Sequence, residues 1–260
     1  MGQGVRDAVL PLAGTEAGRE EHEVGAGGDT TLELDRAAEA VVFSTLGGLA
    51  ERGERFSVLS EETGRRNFGA EYPLVLVDPV DGSLNAKQGV PIFGLMLAVL
   101  DGPAVADAFG GLVLNLSTGE SWTATRNEGM RRNGRLVDVL DGSDHSGIEL
   151  LALESTPRAI TVAKPLVERA TKLRILGSMA LSIAHTAAGG FDAFCAPLPV
   201  RMFDTAASLL MLAEAGGVAT DLEGRPVGSL ACSLETRSTL LCAPSAALHA
   251  AALETLARGR

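Results

Sequence analysis

Leu74-Val75-Leu76-Val77-Asp78-Pro79-Val80-Asp81-Gly82-Ser83 is the stretch on which the fold turns. Four apolar residues in succession, two of them β-branched and none polar, predict a short strand buried on both faces, and such a strand needs a covering layer on each side. The run ends at Asp78-Pro79-Val80-Asp81, where proline fixes its own φ and has no N–H to donate. A turn here can therefore aim two carboxylates and the intervening carbonyl toward one point. Three oxygen donors from four residues suit Mg²⁺ or Mn²⁺ better than zinc, which would call for His or Cys nearby. Gly82 and Ser83 stand where a helix should begin, and free backbone N–H groups there favour an anion. The same string is also a good turn sequence in its own right. The buried strand before it and the hydroxyl after it are what a phosphate site at a strand's carboxyl end requires.

Outward from this segment, strands and helices interleave. Toward the N-terminus, Val5 to Glu23 is expected to be helical despite Pro11, with a glycine-rich bend at Gly25 to Gly28. Thr30 and Glu33 fit a capping box for a helix running to about Ala50, and Phe56 to Leu59 reads as a strand ending at Ser60-Glu61-Glu62. Toward the C-terminus, Gly94 to Leu100 is expected as a strand, followed by hairpins through Thr125 with turns at Ser117-Thr118-Gly119 and Asn133-Gly134. The polar segment from Leu140 to Gly147 is the candidate boundary between an N-terminal half, 1–146, and a C-terminal half, 147–260. Beyond it we expect a strand at Ile148 to Leu153, one helix from Pro157 to Ala170, a strand at Leu173 to Leu176, and a helix opened by Gly177-Ser178. Extended segments at Phe191 to Cys195, Val218 to Thr220 and Thr239 to Cys242 then alternate with helices at Asp204 to Ala215 and Ala246 to Arg258. The interleaving predicts a layered α/β architecture.

With 260 residues, 46% of them hydrophobic, the chain can bury one large core or two closely associated halves. Its formal charge of -11 argues against a nonspecific grip on nucleic acid or an anionic membrane, so an anionic substrate must be met by a local counter-charge, for which cations held by carboxylates serve. No secretory signal and no membrane-spanning run is visible, and Cys195, Cys232 and Cys242 lack metal-ligand spacing; a cytoplasmic protein with reduced thiols is expected. His22, His145, His185 and His249 form no pattern suited to a triad or a zinc site.

Three further acidic positions bear on the Asp78–Asp81 turn. Glu61-Glu62 forms a second acidic pair at a strand end, which taken alone reads as a solvated charge pair but whose placement resembles that of the first. Asp204 stands where an extended stretch becomes an apolar helix, so it can act as a helix N-cap, a ligand, or both. Asp35 lies in the first turns of a helix, where a carboxylate is favoured electrostatically in any case.

Ser60-Glu61-Glu62, Asp78-Pro79-Val80-Asp81-Gly82-Ser83 and Phe203-Asp204-Thr205-Ala206-Ala207 resemble, in this order, the three signatures of the inositol monophosphatase superfamily of lithium-sensitive, magnesium-dependent phosphatases. Similar stretches at Gly28-Asp29 through Asp35 with Glu39, Gly177-Ser178 with Ala180, Gly189-Gly190-Phe191-Asp192 and Glu214-Ala215-Gly216-Gly217 extend the likeness over nearly the whole chain. Asp81-Gly82-Ser83 and the Val200-Arg201-x-x-Asp204 approach resemble most the archaeal-type enzymes acting on both inositol monophosphate and fructose 1,6-bisphosphate.

The resemblance implies an αβαβα sandwich, two or three Mg²⁺ ions per active site with Mn²⁺ as a substitute, and a homodimer. It makes Glu61, Asp78 and the Val80 carbonyl ligands of one metal and Asp78, Asp81 and Asp204 ligands of a second. It implies that Ser83 and Asp35, with Glu61, serve the attacking water. Gly82, Ser83, Gly177 and Ser178 would contact substrate, and Arg201 and Arg158 a second phosphate. Departures are Phe203 for the usual Trp, Ser83 for the commoner Thr, Leu32 for a Thr, and Pro197 where the animal-type enzymes carry an inositol-binding Glu. The implied activity is hydrolysis of a small sugar or polyol phosphate by metal-activated water. A 3′-phosphoadenosine 5′-phosphate nucleotidase, a histidinol-phosphate phosphatase and a noncatalytic metal- or phosphate-binding regulator are the alternatives.

Overall fold

The computed structural model describes residues 1–137, 147–154 and 156–258. The expected boundary at residues 146 and 147 abuts the stretch 138–146 and lies outside the described residues.

Helix α1 (Gly2–Val9) buries Val5 and Val9. The long helix expected from Val5 to Glu23 does not form. Pro11 has no N–H to offer the carbonyl four residues back, so the helical pattern stops at Leu10, whose N–H still reaches Arg6. Glu21 to Val24 is instead strand β1 (Glu21–Val24), paired antiparallel with β2 (Thr30–Leu32) across the glycine-rich bend. Helix α2 (Glu33–Glu51) follows, and here too the expectation needs correcting. Thr30 lies in β2, and it is the Asp35 carboxylate that reaches back to the Leu32 N–H at 2.9 Å to cap the helix.

Strands β3 (Ser57–Ser60), β4 (Gly64–Asn67) and β5 (Leu74–Asp81) come next, then the short helix α3 (Ser83–Gln88). After it run β6 (Gly94–Leu100), β7 (Ala108–Asn115), β8 (Ser121–Thr125), β9 (Gly129–Arg132) and β10 (Arg135–Leu136). Among the described residues these build an eight-stranded sheet in the order β10-β9-β8-β7-β6-β5-β3-β4, antiparallel except where β3 runs parallel to β5. The C-terminal half supplies β11 (Leu150–Leu153), α4 (Pro157–Val162), α5 (Lys164–Arg169), β12 (Lys172–Arg174) and α6 (Met179–Ala187). It continues with β13 (Ala193–Arg201), α7 (Ala206–Glu214), β14 (Val218–Thr220), β15 (Arg237–Ala243) and α8 (Ala246–Arg258). The single helix expected from Pro157 to Ala170 is two helices. Pro165 cannot donate to the Thr161 carbonyl, and the chain breaks at Ala163. The second sheet has the order β12-β11-β13-β15-β14.

Five layers result, as the αβαβα expectation requires. Helices α1 and α2 cover one face of the large sheet, α6 and α7 lie between the two sheets, and α4, α5 and α8 cover the far face of the small one. The period-2 geometry of β5 explains why its sequence does not alternate: Leu74 and Leu76 enter the central core beneath α6 and α7, while Val75 and Val77 enter the core under α2. No helix among the described residues is long and apolar enough to cross a membrane. All three thiols are buried, and burial pushes those of Cys195 and Cys232 up to about 12.

His249 of α8 is buried with its Nε2 2.9 Å from Thr220 Oγ1, and burial holds its pKa below the ordinary histidine value. A group whose folded pKa is depressed contributes stability above its unfolded pKa, about 6.5, and loses that contribution as the pH falls through the folded value. Melting temperatures measured from pH 7.5 down to 5 should therefore fall more steeply for the wild type than for His249→Asn, and parallel curves would refute the assignment.

Candidate active site

The pairing of β5 with β6 slips between Asp78, opposite Met96, and Asp81, opposite Gly94. Three steps along β5 match two along β6, which is a one-residue bulge. In an unbroken strand, residues three apart point to opposite faces. The extra residue at Pro79-Val80 cancels that inversion, and Asp78 and Asp81 both line one cleft of about 480 Å³. Asp35, Glu61, Glu62, Val80, Gly82, Ser83, Arg201 and Asp204 share its walls. The β3–β5 parallel pairing carries Glu61 to the same sheet end, its N–H donating to the Val77 carbonyl, while the end of β13 brings Arg201, and the 3-10 turn after it Asp204, from the other half.

Each carboxylate is held by identifiable partners. Asp35 accepts from the Leu32 N–H, and its Oδ1 lies 2.8 Å from Ser83 Oγ, which also lies 2.8 Å from the Val80 carbonyl. The single hydroxyl proton can serve one of the two at a time. Asp78 Oδ1 accepts from the Val80 N–H at 3.0 Å. Asp81 accepts from Ser178 Oγ, from the Ala180 N–H at 2.8 Å and from the Met179 N–H at 3.2 Å, so it sits on the first turn of α6. Glu62 accepts from Thr31 Oγ1. Arg201 donates from Nε to Asp204 Oδ2 at 2.9 Å, from Nη2 to Glu61 Oε1, and from Nη1 to the Gly27 carbonyl at 3.1 Å and Asp29 at 3.3 Å.

So many acids in one buried place raise one another's proton affinity. Burial and then the neighbouring carboxylates of Glu61, Asp81 and Asp204 push Asp78 well above the carboxylate range. Burial likewise lifts Asp81 and Asp35 to about 6 and Asp204 to about 7, the last despite the opposing pull of Arg201. A divalent cation reverses this logic, because it rewards the charged form. Asp204 Oδ1 is buried with no hydrogen-bond partner, a lone pair that costs free energy until something occupies it. The donors are oxygens throughout, so the residues fit a hard divalent cation. Among the described residues, however, no three acidic, His or Cys side chains are already gathered tightly enough to share one ion, and the Arg201 guanidinium stands between Glu61 and Asp204.

The site residues expected from the sequence therefore converge, with qualifications. Gly177 lines the cleft and, with Ser178, a contiguous pocket, yet the Ser178 hydroxyl is spent on Asp81 and on capping α6. Arg201 is present but engaged with carboxylates, so it does not present a free fork to a second phosphate. Arg158 is a correction: it lies exposed on the first turn of α4, and neither pocket is lined by it. Lys87 and Glu154 are among the lining residues that went unread in the sequence. Lys87 follows Ser83 by four residues, one helical turn, which alone would have put it on the same face. Glu154 stands at the carboxyl end of β11, where sheets of this kind offer their ligand positions.

Comparison with known proteins identifies the family and the fold. Residues 2–258 match the family described as the inositol monophosphatase family. A curated fructose-1,6-bisphosphatase/inositol-1-monophosphatase of Methanothermobacter thermautotrophicus is 31% identical over 269 residues, covering 98% of this chain and 94% of its own. A bifunctional NADP phosphatase/NAD kinase of Methanococcus maripaludis is 27% identical, covering 92% of this chain but 45% of its own. The crystal structure of an inositol monophosphatase-fructose 1,6 bisphosphatase superposes with a TM-score of 0.82 over 98% of this chain and 96% of its own; at 24% identity that likeness establishes the fold.

Gly82 adopts φ +91° at the turn, and a Cβ there would stand 3.0 Å from the Gly177 carbonyl oxygen of the other half. Gly82→Ala should destabilise the protein by about 2 kcal/mol, from left-handed backbone strain and this contact. A urea midpoint unchanged from the wild type would contradict the tight apposition.

Proposed function

We propose that this chain, which belongs to the inositol monophosphatase family and is a phosphatase of that family, hydrolyses a small sugar or polyol phosphate, with fructose 1,6-bisphosphate and inositol 1-phosphate, either or both, as the leading candidate substrates, and uses Mg²⁺ to do so. The observation that carries the reading is the meeting of Glu61, Asp78, Asp81 and Asp204 from three separate parts of the chain in one cleft, with the Asp204 Oδ1 atom buried and unpartnered. Glu61, Asp78 and the Val80 carbonyl would hold one ion, and Asp78, Asp81 and Asp204 another. When bound, such ions supply Lewis acidity at phosphoryl oxygens and make water acidic enough to attack near neutral pH.

The chain's own groups then divide the remaining work. Backbone N–H groups of Gly82 and Ser83, at the turn into α3, would bind and orient the phosphoryl oxygens. Ser83 Oγ, donating to Asp35 Oδ1, keeps a lone pair for the proton of the attacking water, and Asp35 fixes the hydroxyl's direction from a position anchored to the start of α2. Asp35 is buried and Gly82 and Ser83 are half-buried, which limits the access of bulk water to the reacting atoms. An adenine-bearing substrate finds little here. Trp122 is fully buried in the central core, Tyr72 packs against that core, and neither lines the cleft. The reading includes a cytoplasmic homodimer, for which sedimentation of the purified protein is the check on assembly.

Asp78→Asn should lower kcat at saturating Mg²⁺ by at least roughly a hundredfold, with circular dichroism unchanged. Initial rates on fructose 1,6-bisphosphate, inositol 1-phosphate, histidinol phosphate and 3′-phosphoadenosine 5′-phosphate rank the substrates. Full turnover by the variant, or a preference for the last compound, would overturn the proposal.

A further inference from the structure

We propose that Arg201 is the resident counter-ion of the metal-free site, and that its guanidinium and the incoming cation compete for Glu61 and Asp204. The inference rests on the reading of these carboxylates as metal ligands and goes beyond it by assigning Arg201 a role in setting metal affinity rather than in holding substrate.

Arg201 is half-buried against the cluster, and all three of its guanidinium nitrogens are engaged, with Asp204, Glu61, the Gly27 carbonyl and Asp29. The space it fills is prepared for it. A side chain at position 27 would bring a Cβ within 2.6 Å of Arg201 Nη1 and 2.8 Å of Glu61 Cγ, so the glycine-rich bend is hollowed where the guanidinium passes. The other basic residue lining the cleft, Lys87, is paired with Glu21 at 2.9 Å. Converging carboxylates repel one another unless a cation lies among them, and in this arrangement Arg201 is that cation. Its affinity for protons, although lowered by burial, is raised further by Asp204 and Glu61, as expected of a charge these acids hold in place.

Two consequences follow from the geometry. The guanidinium holds Asp204 Oδ2 and Glu61 Oε1, so two carboxylates assigned to ligate metal each have one oxygen occupied. A divalent ion placed among the same acids would also stand close to a unit positive charge in a partly desolvated site, where repulsion is weakly screened. Both effects set Arg201 against the metal. The contrary possibility is a brace, in which Arg201 pins the two carboxylates so that their free oxygens face a metal. The two differ in sign: a competitor, when removed, tightens metal binding, whereas a brace, when removed, loosens it.

The experiment titrates Mn²⁺ into EDTA-stripped wild type, Arg201→Gln and Arg201→Lys, with the free ion counted by electron paramagnetic resonance and the metal-free melting temperature recorded. Arg201→Gln should bind Mn²⁺ about tenfold more tightly, or about 1.4 kcal/mol, while melting lower without metal, and Arg201→Lys should lie between. Unchanged or weaker binding by Arg201→Gln, with wild-type binding intact, overturns the competition and leaves the metal site standing. No Mn²⁺ binding by any of the three overturns the metal-site reading itself, and this inference with it. Should Arg201→Gln fail to fold, the wild type decides alone. The Arg201 Nε–H resonance should leave its ion-paired position as Mn²⁺'s diamagnetic counterpart Mg²⁺ saturates the site, and an unmoved resonance refutes displacement.

Discussion

Asp81 ties the molecule together. From the bulged end of β5 it accepts hydrogen bonds from Ser178 Oγ and from the Met179 and Ala180 N–H groups, which open α6 in the other half of the chain. A buried carboxylate on a helix N-terminus recovers part of its desolvation cost from oriented N–H groups. The contact also sets the distance between the end of the large sheet and the helices of the central layer. Gly82 then passes close to the Gly177 carbonyl, and Asn85 Nδ2 donates to the carbonyl of Ile92 in its own half and to that of Leu176 across the same seam. The cleft is what remains between elements fixed in this way.

The cleft runs against the rule that buried charges are paired or absent. Asp35, Asp78, Asp81 and Asp204 are all buried, and one guanidinium together with a few N–H and hydroxyl donors offsets only part of their repulsion. The framework beneath them makes this tolerable. β5 lies between two apolar cores, and α6 and α7 are mostly apolar because most of their residues are covered on both sides. Stability is concentrated in those layers, and the strained electrostatics is confined to the sheet's end.

Much of this architecture was legible in the residues. Leu74 to Val77 announced a doubly covered strand, the limits of β6, β14 and α8 agree with the expectation, and the acidic motifs marked the positions that meet. What escaped reading had local causes. Pro11 and Pro165 each ended a helix that apolar spacing alone would have continued, and the Thr30–Glu33 pattern was outbid for the cap by Asp35 two residues further on. The bulge at Pro79-Val80 depends on the register with β6, which no local pattern encodes. The same holds for Arg201, whose partners Gly27 and Glu61 lie 174 and 140 residues away along the chain. Arg158 misled because an arginine's usefulness to an anion depends on where its helix packs, and α4 lies on the outer side of the small sheet.

The order of the layers is not the order of the chain. The inner face of the large sheet, with Leu76, Met96 and Trp122, is complete once β10 has been made, yet α6 and α7, which cover it, begin only at Met179 and Ala206. A ribosome working from the N-terminus therefore exposes one greasy surface of a finished sheet for the time needed to translate the following segment. The nascent N-terminal half must be shielded, or remain loosely formed, until its cover emerges. The central layer thus makes folding a late event that waits on the second half of translation.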